Sequence, residues 1–261
     1  MNAINIYWTG TKNEFLKLKR TFAFWLTIIS AFFIPAIYLI YYLLKYKSLL
    51  PSNNINPWDK FLNDQIMAVS SLLIPLFIVL ITSLIAQLEH KSMGIKLLFT
   101  LPTPKWSIYY GKLTVVLSMI IFTYLMFFVM MLLTGSIAGM IHKELKLLTY
   151  FPNLGEPLKL LFRSFVSILG ILGIQFWLSF KEKNFIIPLG VGMVLVITGL
   201  IIFQAQESIY FPYAYSRLSL FSLSQNIENL LWFPKVLIYS VGYFLFFSIF
   251  GFINISRMDI K

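Results

Sequence analysis

Cysteine is absent from this chain. Its absence excludes disulfides, thiolate metal sites and cysteine nucleophiles, and leaves the redox compartment open. Charge is scarce as well. Asp, Glu, Lys and Arg make up 12% of the residues, against about 25% in ordinary soluble domains. Acids are the scarcer sign, with 10 Asp and Glu against 21 Lys and Arg. The 2 histidines are His90 and His142. They fall on opposite membrane faces in the topology derived below, so they are not expected to share a metal. Signatures of chemistry are missing too. Gly111-Lys112 ends like a phosphate loop, but Trp106 stands where G-x-x-x-x-G-K needs glycine, so ATP binding by this chain itself is not expected. Neither H-E-x-x-H nor G-x-S-x-G occurs. No catalytic, cofactor-binding or metal-ligating residue is therefore assigned.

What is present is apolar surface. Hydrophobic residues make up 59% of the chain and the mean hydropathy is +0.81. A soluble core could not hide so much, and lipid must solvate much of it. Six apolar segments stand out, at about 22–44, 66–88, 113–141, 160–180, 184–206 and 236–256. A bilayer core of about 30 Å needs roughly 20 helical residues, which predicts an all-α integral membrane protein with six transmembrane helices. Arg163 snorkels to the headgroups so that the fourth segment can span. No other Asp, Glu, Lys, Arg or His lies in the six segments. Proton relays and ion-coupled carriers usually need such a residue, so the energy for any transport must come from outside the chain. Pro35, Pro75 and Pro188 lie inside segments, where each frees a carbonyl and is expected to kink its helix. One membrane domain is expected to cover 1–261, with no secretory signal at its start.

The net charge of +11 does not point to nucleic acid. The basic residues flank apolar runs and form no stripe of their own, so anionic headgroups explain them better. In and just after residues 1–21, Ile4, Trp8, Phe15, Leu18 and Phe22 fall near a helical stripe, among Lys12, Lys17, Lys19 and Arg20. That pattern fits a helix lying in the interface, or a basic flank that orients the first span. Basic residues favour the side holding the Lys17–Arg20 cluster and the tight Lys181-Glu182-Lys183 turn. The N- and C-termini are accordingly expected in the cytoplasm, at a bacterial cell membrane. The other face carries longer connections. Residues 45–65 hold turn signals at Pro51, Asn53, Asn54, Asn56 and Pro57. Residues 142–163 hold a short amphipathic pattern at Leu145, Leu147, Leu148 and Tyr150. Residues 207–235 are too apolar for a free loop and too interrupted for a span, which predicts re-entrant outer elements before the sixth span. Tyr210, Tyr213, Tyr215 and Trp232 there suit the headgroup layer.

One cytoplasmic connection is far longer than a turn needs. It runs from Gln87 to Lys112. Thr103-Pro104 reads as a helix start, with Thr103 as N-cap, so the third helix begins at Lys105 and carries Trp106, Tyr109 and Tyr110 to the interface. Ahead of it, residues 93–100 can form a short helix with Ile95, Leu97, Leu98 and Phe99 apolar and Lys96 polar, ended by Pro102. Held between two long helices, it would be a lever for a soluble partner, or an amphipathic turn resting on lipid. Gly135 and Gly139 form a G-x-x-x-G near the outer end of the third span, which suits either packing within the chain or a dimer seam.

Glu89-His90-Lys91, then Leu97-Leu98-Phe99-Thr100-Leu101-Pro102, then Tyr109-Tyr110-Gly111-Lys112 resembles the loop between the second and third helices of ABC-2-type transporter permeases. The string looks most like the lantibiotic-protection branch. Phe211-Pro212-Tyr213-Ala214-Tyr215 resembles an outer Pro-Tyr segment of that branch. The resemblance implies a transport subunit and not an enzyme. Two permease subunits, identical or related, would pair, each on a separate ABC ATPase that carries ATP and Mg. It implies a coupling helix around Met93, Ile95, Leu97, Leu98 and Phe99, with Glu89 and His90 at the ATPase contact. The implied cargo is hydrophobic or amphipathic, antimicrobial peptides included, and exported. A six-helix channel or structural membrane subunit without an ATPase is the alternative, followed by an intramembrane enzyme.

Overall fold

Helix is the only regular structure among the described residues, which are 3–51, 56–91, 104–224 and 235–257 of a computed structural model. The first helix, α1 (Ala3–Leu18), ends where Arg20 takes a left-handed φ of 72° and redirects the chain. There α2 (Phe22–Lys45) begins, with Pro35 in its interior. Past its end, Tyr46 stacks on His142 at 3.9 Å. That contact joins the far ends of α2 and the long α5 (Lys105–Ile141), so the two run parallel along each other.

The expected second span starts earlier than its apolar run. Its first helix, α3 (Pro57–Ala68), is launched by Asn56, whose side chain accepts the Trp58 N–H at 3.0 Å, with Pro57 at the first helical position. The Asn-Pro pair, read above as a turn signal, is a helix start. A π turn at Val69–Leu73 then leads into α4 (Ile74–Lys91). Pro75 supplies a reason for that turn: it has no N–H for the carbonyl of Ser71, and the ladder shifts register just before it. The Ile74 N–H bonds back to Val69.

The fourth crossing is two helices. They are α6 (Gly155–Ser167) and α7 (Leu169–Lys181), broken at Ile168. Ser240 of α10 (Lys235–Ser256) sits in the break. Its hydroxyl accepts the Gly170 N–H at 2.9 Å and faces the carbonyls of Val166 and Ser167 at 2.8 and 2.9 Å. A side chain inserted into the ladder is an established cause of a kink. A second buried polar contact joins three crossings. Ser164 donates to Ser70 in the π turn at 2.7 Å and pairs with the Tyr124 hydroxyl at 2.8 Å.

The fifth apolar segment yields α8 (Ile186–Ile202), which is 17 residues long rather than the expected run to 206. Gly199 lets the backbone of Tyr213 approach, since a Cβ there would lie 2.5 Å from that carbonyl oxygen. Short 3-10 turns at Gln206–Tyr210 and Pro212–Ala214 lead into α9 (Tyr215–Ser224). Tyr213 and Tyr215 are buried inside the protein, which corrects their assignment to the headgroup layer. Each hydroxyl has found a protein acceptor instead: Gln175 at 3.0 Å for Tyr213 and the Ile209 carbonyl at 2.8 Å for Tyr215. Tyr210 is exposed, and Trp232 lies outside the described residues.

Among the described residues, 5 helical stretches are long and apolar enough to cross a membrane: Phe22–Leu49, Pro57–Leu88, Lys105–Ile141, Gly155–Lys181 and Lys235–Ser256. The chain is a multi-pass membrane protein.

Candidate coupling site at the start of the long helix

The expected site runs from Glu89 to Phe99. Glu89 and His90 belong to the last turns of α4. Met93, Ile95, Leu97, Leu98 and Phe99 lie outside the described residues. The chain re-enters at Pro104, whose carbonyl accepts the Ser107 N–H at 2.9 Å. Pro104 is the N-cap of α5, one position later than the sequence assigned it, and Lys105 opens the helix as expected.

The first turns of α5 are gripped from two sides. On one side lies α1. Tyr7 stacks on Trp106, with ring centroids 6.0 Å apart, and its hydroxyl shares a hydrogen bond with that of Thr114. Thr11 fits against Gly111, where a Cβ would lie 3.3 Å from the threonine oxygen. Glu14 completes the contact. One carboxylate oxygen accepts from Lys112 at 2.6 Å and the other from Lys17 at 2.8 Å. Lys112 is buried, at 4% exposure. Burial by itself would raise the Glu14 carboxyl. The charge and hydrogen bond of Lys112, with those of Lys17, outweigh it and hold the group below the usual carboxylate value.

The other side is the end of α10 with α7. Lys105 donates to the Ser256 carbonyl at 2.9 Å. A cation satisfies a terminal carbonyl there, where the helix dipole also favours it. Tyr109 packs between Phe176 and Phe252, with centroids at 5.2 and 5.8 Å. Its hydroxyl rests against Gly251, and Trp177 leans on the same glycine. Lys181 sits over the Trp177 ring at 5.1 Å. The start of α5 is thus in contact with α1, α7 and α10 at once.

Sequence reasoning missed Glu14, Tyr7 and Ser240. The only signal for Glu14 was an acid inside a basic helix, and its partner is 98 residues away. Among the described residues, no group of three or more His, Cys, Asp or Glu could hold a metal. Gly135 and Gly139 sit at the opposite end of α5. Gly135 is covered by Trp58 and Phe61, and Gly139 by Leu147 and Leu148, all of this same chain.

Comparison with known families finds one whose profile, described as ABC-2 family transporter protein, matches residues 11–199. A comparison with curated proteins finds no match. That profile runs from within α1, through the second-to-third-helix connection and the long α5, almost to the end of α8, and the chain accordingly belongs to the ABC-2 transporter family, as a membrane permease of the ABC exporter type.

Proposed function

We propose that this chain, as one membrane domain over 1–261, is the permease subunit of an exporter that a separate ABC ATPase drives. The observation that carries the reading is the two-sided grip on α5 directly after residues 92–103. A soluble partner that pushes on that segment finds α5 already tied to the interfacial helix and to the last span. In this reading residues 93–100 form the coupling helix, seated in the ATPase through Leu97, Leu98 and Phe99. Met93 and Ile95 complete its apolar face, and Glu89 and His90 border the contact. ATP and Mg belong to the partner chain. A second permease subunit, a copy or a relative, completes the assembly.

Six crossings result if α8 counts as the fifth. Its 17 residues reach the lower end of spanning length, about 17–25 residues. The Glu14 and Lys105 end then faces the cytoplasm with both termini, in a bacterial cell membrane. The re-entrant elements before the last span face outward. The cargo is hydrophobic or amphipathic, with lantibiotic-like peptides the leading class. The absence of an ionisable group from the middle of the spans supports external energy.

The test is Leu98→Asp and Phe99→Asp in the full chain. Membrane insertion is expected to persist, while copurification of a P-loop ATPase and cargo export are lost. Retention of both with either variant overturns the docking assignment. Single-channel conductance without any ATPase would favour the channel alternative.

A further inference from the structure

The end of the bundle away from Lys105 carries an outward apolar tip that packing of the spans does not explain. The connection after α5 is nailed down from inside. Leu145 and Leu147 are buried, and the Trp58 indole N–H faces the carbonyls of Leu147 and Tyr150 at 2.7 and 3.0 Å. Asn56 donates to the Phe151 carbonyl at 2.9 Å. With the backbone so held, Phe151 points away from the protein at 93% exposure, with Leu148 and Tyr150 exposed beside it. An exposed apolar patch on a fixed loop marks an interaction surface.

Two observations identify the occupant. First, the tip continues the exposed apolar face of α5, which ends at Met140 and Ile141, so it extends the lipid-facing surface. Second, its rim is basic. Lys143, Lys146 and Lys159 flank it in sequence, with Glu144 and Glu156 among them and Glu156 bound to Lys159 at 2.8 Å. Aromatic and apolar groups at the acyl boundary with lysines above them match a headgroup layer. We infer that Leu148, Tyr150 and Phe151 insert into the leaflet at this end of the bundle, and that Lys143, Lys146 and Lys159 bind anionic phospholipid headgroups around them. This wedge fixes the loop, and through Trp58 the start of α3, to the membrane surface. It holds whether or not an ATPase drives the chain.

The cysteine-free sequence makes the test clean. Phe151→Cys in the full chain is spin-labelled and reconstituted in phosphatidylcholine vesicles with and without phosphatidylglycerol. Collisions with dissolved oxygen should dominate those with a water-soluble nickel chelate, and the label should lie about 5–10 Å into the headgroup and acyl boundary. Lys146→Gln and Lys159→Gln should each lower the preference for spin-labelled phosphatidylglycerol over phosphatidylcholine about fivefold, the equivalent of about 1 kcal/mol per charge. Leu148→Cys gives the same reading should the Phe151 variant fail to fold. Chelate access equal to that at Lys183→Cys overturns the inference. So does protection that appears only when two copies share a nanodisc, since a second copy would then cover the tip.

Discussion

The two ends of α5 are held by different chemistry. At its start the contacts are ionic, hydroxylic and stacked: Glu14 with Lys112, Tyr7 with Thr114 and Trp106, and Lys105 with the end of α10. At its finish the closest contacts of the helix are steric. Gly135 lies under the Trp58 ring, and Trp58 spends its N–H on two loop carbonyls. Polar contacts can be broken and remade over small displacements, because their donors and acceptors can exchange partners. Interdigitated aromatic packing has no such intermediate and behaves as a fixed point. The difference separates a start rich in polar contacts from an end fixed by close packing.

The sharpest way to break this comparison is Gly135→Leu. A Cβ at that position already collides with Trp58 and lies 2.9 Å from Phe61. The expected loss is about 1–3 kcal/mol of stability or more, read as a lower apparent Tm and less monodisperse protein in detergent. Gly190→Ala is the control, because nothing lies within 4 Å of its Cβ position. It should be neutral or slightly stabilising. If the two variants behave alike, the fixed point is not there.

A smaller effect is expected at the other end. Lys112→Met leaves Glu14 with Lys17 alone. Together with Glu14→Gln and the double variant it forms a cycle whose coupling should be about 0.5–3 kcal/mol. Transport should fall more than thermal stability does, as the proposed coupling role requires. Equal losses in both would make it merely structural.

The smallest effect is the pH response of the same contact. The Glu14 carboxyl sits below its unfolded value in the folded chain. The stability it contributes is thus complete above the unfolded carboxylate value and fades as pH falls through the folded one. Glu14→Gln should lower stability at neutral pH and flatten the acid limb, so that the two profiles converge where the wild-type carboxyl is protonated. A steeper acid limb in the variant would reverse the assignment.

Much of the architecture was legible because it depends on local pattern. Long charge-free runs gave the helices, and Pro104 with Lys105 gave the start of α5 to within one position. Other features depend on partners distant in sequence. Asn56 and Pro57 carry the same local signal for a turn and for a helix start, and only the burial of Trp58 and Phe61 decides between them. Tyr213 and Tyr215 look interfacial by residue type, yet the close approach at Gly199 draws that segment inward. The break at Ile168 was invisible because Ser240, 70 residues after Gly170, occupies it.

That serine has mechanical meaning. Its single proton is shared between two carbonyl oxygens, and its oxygen takes the Gly170 N–H, so one side chain closes the joint between α6 and α7. The shaft that carries the serine ends at Ser256, roughly 24 Å along its axis, on the oxygen that Lys105 holds. The start of α5 and the bend of the fourth crossing are therefore two attachments of one continuous rod, α10.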